Sequence, residues 1–348
     1  MKKDSPQSLP SGKNQKLLIG QVFSLIVIVV ISFSFGWLVR REVSANTPPS
    51  SNCIHLSGYQ YINPLLLCDT VPKADSASLS ALRAKLDMAT SQAEASHEVD
   101  AVSVYFRDMT THDQLNINGQ EKYFPASLKK VPIMMSYFKE AQTNPGILTT
   151  TGVLQGTTDQ NAGVEIPPKI APQFGQSYSV NDLISMMIKY SDNNSFEMLS
   201  ANLGDQGLKS IYQDLQIQYP DDQLSITDFI TAYQFSLFLR TLYNGTYLGP
   251  DYSERALELM AEVDFKDGLV AGVPSDVTVA HKFGIETNND SDGKLVQREL
   301  HDCGIVYDKN TPYVLCVMTK SSGGLTAAEK AIKDISAAAY QEVENNYK

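Results

Sequence analysis

The sequence is poor in the residues that hold metal ions. It has four cysteines and five histidines among 348 residues. No histidine stands at the short spacing from another histidine or a cysteine that metal sites use. The five are His55, His97, His112, His281 and His301. We therefore expect no metal ion, and nothing in the sequence implies another cofactor.

Long runs of like charge are also absent. The chain carries 28 basic and 39 acidic residues, a formal net charge of −11, with no run of five charges of one sign. We therefore expect no nucleic-acid partner, since that class of binding relies on clustered basic residues. At 43% apolar and 19% charged, the composition is that of a globular protein with a sizeable core.

One long stretch lacks charge altogether. Residues 17–39 are uncharged, and as a helix rising ~1.5 Å per residue they can cross a bilayer. Four lysines precede this stretch and two arginines follow it, which favours a cytoplasmic tail of residues 1–16 and an external remainder. A cleaved signal peptide ending near Ala45 is the alternative, but its apolar region is normally only about 7–15 residues long. The sequence therefore predicts a single-pass cell-membrane protein.

Residues 40–73 are predicted to form an extracytoplasmic stalk before a folded domain of residues 74–348. The segment 46–73 is rich in proline, serine and asparagine and has no helical period. Its two cysteines, Cys53 and Cys68, are candidates for a disulfide in an oxidising compartment.

The other two cysteines flank a predicted hairpin. If Lys309 and Asn310 form its two-residue turn, Cys303 faces Cys316 across the strands and a disulfide can join them. Two free, buried thiols at these positions are the alternative.

The order of predicted elements favours an α/β fold. A helical period covers residues 78–95 and an apolar, strand-like segment covers 102–109. The middle of the chain is mainly helical, at 180–190, 194–203 and 230–243. The end returns to strands at 277–283, 299–307 and 313–318, followed by an alanine-rich helix at 326–345. We expect a layer built from both ends of the chain, with a helical region inserted between them.

The first chemical motif is Ser127-x-x-Lys130, at the predicted start of a helix. A spacing of three places both side chains on one helical face, so the amine can reach the hydroxyl. A serine hydroxyl is a weak nucleophile until a neighbouring base assists it, and a desolvated lysine can do so. The pattern alone is weak, because Ser136 to Lys139 and Ser291 to Lys294 also satisfy it.

Two further motifs are weak when taken separately. Ser191-Asp192-Asn193 follows an apolar helix and consists of residues that commonly cap helices. Lys282-Phe283-Gly284 ends an apolar strand and could simply terminate it.

Together, 64 and then 91 residues apart, the three motifs resemble the signature of class A β-lactamases and penicillin-recognising serine hydrolases. The resemblance covers roughly residues 76–348. It implies an antiparallel sheet flanked by the N- and C-terminal helices, with an inserted all-helical subdomain.

The resemblance also implies roles for individual residues. Ser127 would form an acyl-enzyme, Lys130 would assist removal of its proton, and Ser191 would relay a proton to the leaving nitrogen. Asn193 would bind the amide of the acyl side chain and Lys282 the substrate carboxylate. The N–H groups of Ser127 and Ile285, beside Gly284, would form the oxyanion hole.

The sequence departs from the family at two places. Phe283 replaces the usual hydroxyl residue of the third motif, and Ile285 makes that edge more apolar. The loop at 216–224 has no glutamate, which predicts slow hydrolysis of the acyl-enzyme. Glu197, Asp221 and Asp222 are candidate substitutes, although a surface turn explains the two aspartates better and a solvated helix face is the alternative for Glu197.

Three functions follow from this sequence. The first is hydrolysis of β-lactams through Ser127. The second is a cell-wall D,D-peptidase acting on peptidoglycan stem peptides, with slow deacylation. The third is a non-catalytic binding module that retains the fold, which the replacement at Phe283 favours.

Overall fold

The computed structural model describes residues 54–55, 58–62, 65–67, 76–219 and 228–346. All of these except Leu67 belong to one compact unit, made of residues 54–66 and 71–348. The predicted membrane span at 17–39 and the predicted Cys53–Cys68 pair lie outside the described residues. Within the described ranges, no helix is both long enough and apolar enough to cross a membrane.

Among the described residues, the strands form three sheets. Two small ones pair β1 with β2 and β5 with β6, and the central one is five-stranded and antiparallel in the order β4-β3-β9-β8-β7. The strands are β1 (Ile54–His55), β2 (Leu65–Leu67), β3 (Ala101–Asp108), β4 (Gln114–Ile117), β5 (Thr151–Val153), β6 (Ser177–Ser179), β7 (Thr278–Asn289), β8 (Leu295–Tyr307) and β9 (Tyr313–Ser321). The central sheet thus joins the beginning and the end of the domain, as predicted.

Helices cover the sheet and fill the region inserted between β4 and β7. They are α1 (Ser76–Ala95), α2 (Lys130–Ala141), α3 (Val180–Lys189), α4 (Asn193–Asp214), α5 (Ala232–Tyr243), α6 (Gly249–Ala261) and α7 (Leu325–Asn346), with short 3-10 turns at Ala126–Lys129, Pro145–Thr149 and Leu269–Gly272. The terminal helices α1 and α7 pack on each other and on the sheet, while α5 packs on β3, β8 and β9 from the inserted region. The fold is therefore α+β, with an inserted helical subdomain as expected.

The helix that leads to the second motif begins at a defined cap. The Ser179 hydroxyl accepts the Asp182 N–H, and the Asp182 carboxylate accepts the Ser179 N–H, which forms a capping box at the start of α3. The apolar residues of α3 are buried along the helix. The cap fixes the start of α3, and the helix ends at Lys189, two residues before Ser191.

The β8–β9 hairpin has the predicted register but a different turn. Cys303 pairs with Cys316 across the strands and the two are joined by a disulfide. The connection is a five-residue loop at 308–312, so the predicted two-residue turn at Lys309-Asn310 was wrong. The Asp308 carboxylate accepts the N–H groups of Asn310 and Thr311, each at 3.0 Å. Pro312 has no N–H to extend the ladder, so the strands separate earlier.

Candidate active site

Ser127 lies in the 3-10 turn that leads directly into α2. The preceding Ala126 has a left-handed φ of 46°, an unfavourable conformation that points to a constrained site. Lys130 is the first residue of α2, and its Nζ lies 2.9 Å from Ser127 Oγ. The first motif is thus a direct contact between a hydroxyl and an amine, as its spacing predicts.

Lys130 is almost completely buried among hydrogen-bond acceptors. Its Nζ lies 2.5 Å from Ser191 O, 2.6 Å from Asn193 Oδ1 and 3.3 Å from Ser191 Oγ. Burial lowers the pKa of Lys130 well below that of an exposed lysine, and the charge of Lys282 lowers it further. A neutral amine has two N–H donors and one lone pair. The two shortest contacts can take the donors, which leaves the lone pair for the Ser127 hydroxyl.

Ser191 connects α3 to α4 and bridges two lysines. Its φ of 57° is again left-handed, and its side chain is buried. Lys282 Nζ donates to Ser191 Oγ at 2.9 Å, and Lys130 Nζ lies 3.3 Å from the same oxygen. One hydroxyl therefore lies between two amines, in the position needed to pass a proton.

A loop that sequence reasoning missed holds the second motif in place. Asp192 caps α4 by accepting the Ser195 N–H, and its other oxygen accepts from Asn161 Nδ2 at 2.7 Å. Asn161 Oδ1 accepts the Asn193 N–H at 2.8 Å, and Asn193 Nδ2 donates to the Gln160 carbonyl at 3.1 Å. The side chain of Asn193, which also faces Lys130, is thereby fixed at both ends. These contacts join groups that are 31 to 33 residues apart in the chain, so no local sequence pattern indicates them.

Lys282 is fully buried in β7, one of the two edge strands of the central sheet. Besides Ser191 Oγ, its Nζ donates to the Phe283 carbonyl at 3.0 Å and lies 4.2 Å from the centre of the Phe283 ring. Burial lowers the pKa of Lys282 to about 7, although the Asp302 carboxylate acts in the opposite direction. Lys282 can therefore present a positive charge near neutral pH.

The two departures in the third motif have different surroundings. The Phe283 ring is buried and stacks on Phe265 with 4.4 Å between ring centres. Ile285 is partly exposed and lines the cleft that contains Ser127. Compared with the hydroxyl residue that is usual at this position, Phe283 lacks a hydrogen-bonding group. Its ring is not among the residues that line the cleft.

Gly284 allows β7 to approach the nucleophile. A Cβ at this position would lie 3.0 Å from both the Pro125 carbonyl oxygen and the Ser127 nitrogen. Only a glycine lets these two backbones come so close. The close approach brings the backbone that carries the Ile285 N–H next to that of Ser127, as an oxyanion hole requires.

The cleft beside Ser127 has a volume of about 240 Å³. It is lined by Ala126, Ser127, Lys129, Gln160, Val164, Asn193, Phe196, Glu197, Ile285 and Glu286. Of the candidate bases, Glu197 is exposed at the cleft, while Asp221 and Asp222 lie outside the described residues. Glu286 is a fourth carboxylate, which sequence reasoning did not consider.

The other two Ser-x-x-Lys matches form no such arrangement. The Ser136 hydroxyl donates to the Pro132 carbonyl within α2, and Lys139 Nζ donates to the Tyr247 carbonyl. Ser291 and Lys294 are both exposed in the turn between β7 and β8. The surrounding residues, rather than the Ser-x-x-Lys pattern itself, distinguish Ser127 from Ser136 and Ser291.

A buried histidine lies next to the site without entering it. His281 Nδ1 is 2.7 Å from Asp302 Oδ1, and Asp302 Oδ2 accepts the Leu269 N–H. Both side chains are fully buried, so the pair fastens β7 to β8 and to the neighbouring 3-10 turn. In the part of the chain that the structure describes, no group of three or more potential metal ligands occurs.

Residues 85–343 match the beta-lactamase enzyme family. The chain belongs to this family. No curated protein matches the sequence. The family assignment covers all the residues that form the site.

Solved structures of this family share the fold. A mutant of PBP-A, captured as its acyl-enzyme with penicillin G, has a TM-score of 0.63 at 20% identity and covers 76% of this chain and 97% of its own. A β-lactamase from Sphaerobacter thermophilus has a TM-score of 0.64 at 19% identity, covering 75% and 97%. A class A β-lactamase from Mycobacterium abscessus has a TM-score of 0.62 at 19% identity, covering 75% and 99%. At these sequence identities, the similarity to the three structures shows a shared fold.

Proposed function

We propose that this chain is a serine hydrolase that opens β-lactam amides through an acyl-enzyme on Ser127. The observation that carries the proposal is the convergence of three motifs, with Lys130 Nζ 2.9 Å from Ser127 Oγ and Lys282 Nζ 2.9 Å from Ser191 Oγ. These atoms come from segments 64 and 91 residues apart. A nucleophile, its base and a proton relay at one cleft are the parts that acyl transfer requires.

Acylation begins at the Ser127 hydroxyl. Lys130, whose pKa is lowered by burial, accepts the hydroxyl proton as Oγ bonds to the substrate carbonyl carbon. The backbone N–H groups of Ser127 and Ile285 stabilise the negative charge that develops on the carbonyl oxygen. Each such donor lowers the barrier by roughly 3 kcal/mol.

Departure of the amide nitrogen uses the second and third motifs. Ser191 Oγ donates its proton to the leaving nitrogen and is reprotonated from Lys130, which lies 3.3 Å away. Lys282 binds the substrate carboxylate by its charge, without help from a hydroxyl at Phe283. Asn193, whose side chain is held between Lys130 and the Gln160 carbonyl, lines the cleft in which the acyl side chain would lie.

A D,D-peptidase acting on peptidoglycan stem peptides is the second candidate. The observation that favours it is the loop at 216–224, which carries no glutamate to activate water. The similarity to PBP-A, whose acyl-enzyme with penicillin G has been captured, is consistent with this candidate. A third candidate, a binding module without turnover, is favoured only by Phe283.

The test is labelling of the purified full-length chain with a fluorescent penicillin, beside Ser127→Ala. We expect a covalent label that depends on Ser127 and outlasts that of a class A enzyme. Rapid turnover of a chromogenic cephalosporin favours the β-lactamase, whereas a persistent label with little turnover favours the peptidase. If neither Ser127-dependent labelling nor cephalosporin turnover is observed, both enzyme candidates are rejected in favour of the binding module.

We further propose that residues 17–39 anchor the protein in the cell membrane with the hydrolase domain outside. The 23 uncharged residues and the lysines before them support this location. Alkaline extraction of membranes tests the anchor, and protease treatment of intact cells tests the orientation. Release of the full-length chain by alkali contradicts the anchor.

A further inference from the structure

The sequence left unanswered which group activates water for deacylation. Of the carboxylates along the described cleft, Glu286 is the less exposed and Glu197 the more exposed. Neither side chain has an ion-pair partner within 4.0 Å among the described residues. Glu286 therefore has free acceptor oxygens beside the nucleophile.

The geometry of β7 places Glu286 on the strand face that borders the cleft of Ser127. Alternate residues of a strand face the same side, so Lys282, Gly284 and Glu286 share one face. Lys282 contacts Ser191 on that face, and Gly284 abuts the Ser127 nitrogen. Glu286 leaves the same face two residues further along the strand.

We propose that the Glu286 carboxylate is the general base that activates water to hydrolyse the acyl-enzyme on Ser127. This proposal rests on the proposed function, because it requires an acyl-enzyme on Ser127. It places the base for deacylation on strand β7 instead of on the loop at 216–224. Glu286 takes a proton from water as the water oxygen bonds to the ester carbonyl carbon. The bond from that carbon to Ser127 Oγ then breaks, and the same proton passes from Glu286 to Oγ. The products are a free acid and the serine hydroxyl.

The charges around Glu286 suit a base. Burial raises the pKa of its carboxyl above that of an exposed glutamate, Lys129 lowers it, and Glu299, its direct partner on β8, raises it. Glu197 faces the same cleft from α4. Nearby Glu165 is already paired with Arg298. Since Glu286 must be ionised to accept a proton, deacylation should increase as pH rises through this raised pKa.

The experiment measures release of a fluorescent penicillin from the full-length chain carrying Glu286→Gln. We expect the acyl-enzyme to persist at least 10-fold longer than in the wild type, with acylation changed by less than about twofold, in line with the loss of a general base. Glu197→Gln removes the other cleft carboxylate, which is the competing candidate for the base, and should slow release far less than Glu286→Gln does. Glu286→Asp, which keeps a carboxylate, should give an intermediate lifetime.

A purely structural role for Glu286 would not alter the pH dependence. The wild-type release rate should rise with pH as Glu286 ionises, and the rate in Glu286→Gln should be flat over the same range. Equal release rates in the wild type and Glu286→Gln, equal slowing by Glu197→Gln, or loss of acylation in both Glu286 variants would each overturn the assignment. Absence of any Ser127-dependent label in the wild type would instead reject the proposed function itself.

Discussion

Cys303 is the direct cross-strand partner of Lys282, and its disulfide to Cys316 joins β8 to β9 beside that buried lysine. The covalent link therefore supports the strand against which the third motif rests. All three residues are fully buried. The third motif is therefore attached directly to the buried core of the central sheet.

We predict that removing this disulfide lowers stability. The bond closes a loop with a sequence separation of 13, for which the loss of unfolded-state entropy is worth about 3 kcal/mol. The double variant Cys303→Ala with Cys316→Ala should lose about that free energy of unfolding in urea denaturation. A double variant whose free energy of unfolding equals that of the wild type would contradict this prediction.

Lys130→Arg should slow acylation strongly while retaining a positive charge. A guanidinium stays protonated at all accessible pH values and cannot accept the Ser127 proton. Loss of a general base costs about 10²- to 10⁴-fold, measured as the rate of fluorescent penicillin labelling. Lys139→Arg, in the second Ser-x-x-Lys match of the same helix, is the control. Near-normal labelling of Lys130→Arg would mean that Lys130 acts only by its charge.

Gly284→Ala should impair the oxyanion hole. The added Cβ would lie 3.0 Å from the Ser127 nitrogen and the Pro125 carbonyl oxygen, backbone atoms that cannot rotate away. We expect acylation to fall about 10²-fold, comparable with the loss of one oxyanion donor. Gly324→Ala, whose Cβ would meet nothing within 4 Å, should label at the wild-type rate. Unchanged labelling of Gly284→Ala would show that the strand moves freely.

Lys282→Met should stabilise the fold near neutral pH while weakening substrate binding. The pKa of Lys282 is about 7 in the folded state, against ~10.4 for an unperturbed lysine. Between these values the unfolded chain binds more protons, so the unfolding free energy of the wild type rises with pH. The advantage of Lys282→Met, on the order of 1 to 3 kcal/mol at pH 7, should therefore shrink toward pH 10.

Urea denaturation across this pH range measures the effect. The exposed Lys330→Met on α7 serves as the control, and we expect its stability relative to the wild type to vary little with pH. A difference between wild type and Lys282→Met that does not change with pH would contradict the lowered pKa.

The sequence predicted the residues of the site better than their surroundings. The spacing within Ser127-x-x-Lys130 depends only on helix geometry, so the contact at 2.9 Å could be foreseen. The convergence of Ser191 and Lys282 on it depends on tertiary structure, and only the family resemblance supplied that step. The loop around Asn161 could not be foreseen, because amide hydrogen bonds between distant segments leave no pattern along the chain.

Glu286 was overlooked for a simple physical reason. The strand prediction ended at residue 283, where the apolar residues end, whereas β7 continues to Asn289. The final residues of this edge strand are polar and face the cleft or solvent, so hydrophobicity does not reveal them.

Helix α6, with Gly249 and Pro250 at its start, was missed because both residues usually mark turns.

The neighbours of β3 have a consequence for how the molecule is made. Ala101 pairs with Lys320, so the strand completed last by the ribosome inserts beside one completed more than two hundred residues earlier. Before β9 is synthesised, the short β4 is the described strand with which β3 can pair. The long-range pairing of β3 with β9 forms slowly. The central sheet can therefore be completed only near the end of synthesis, after residue 320 has been added to the nascent chain.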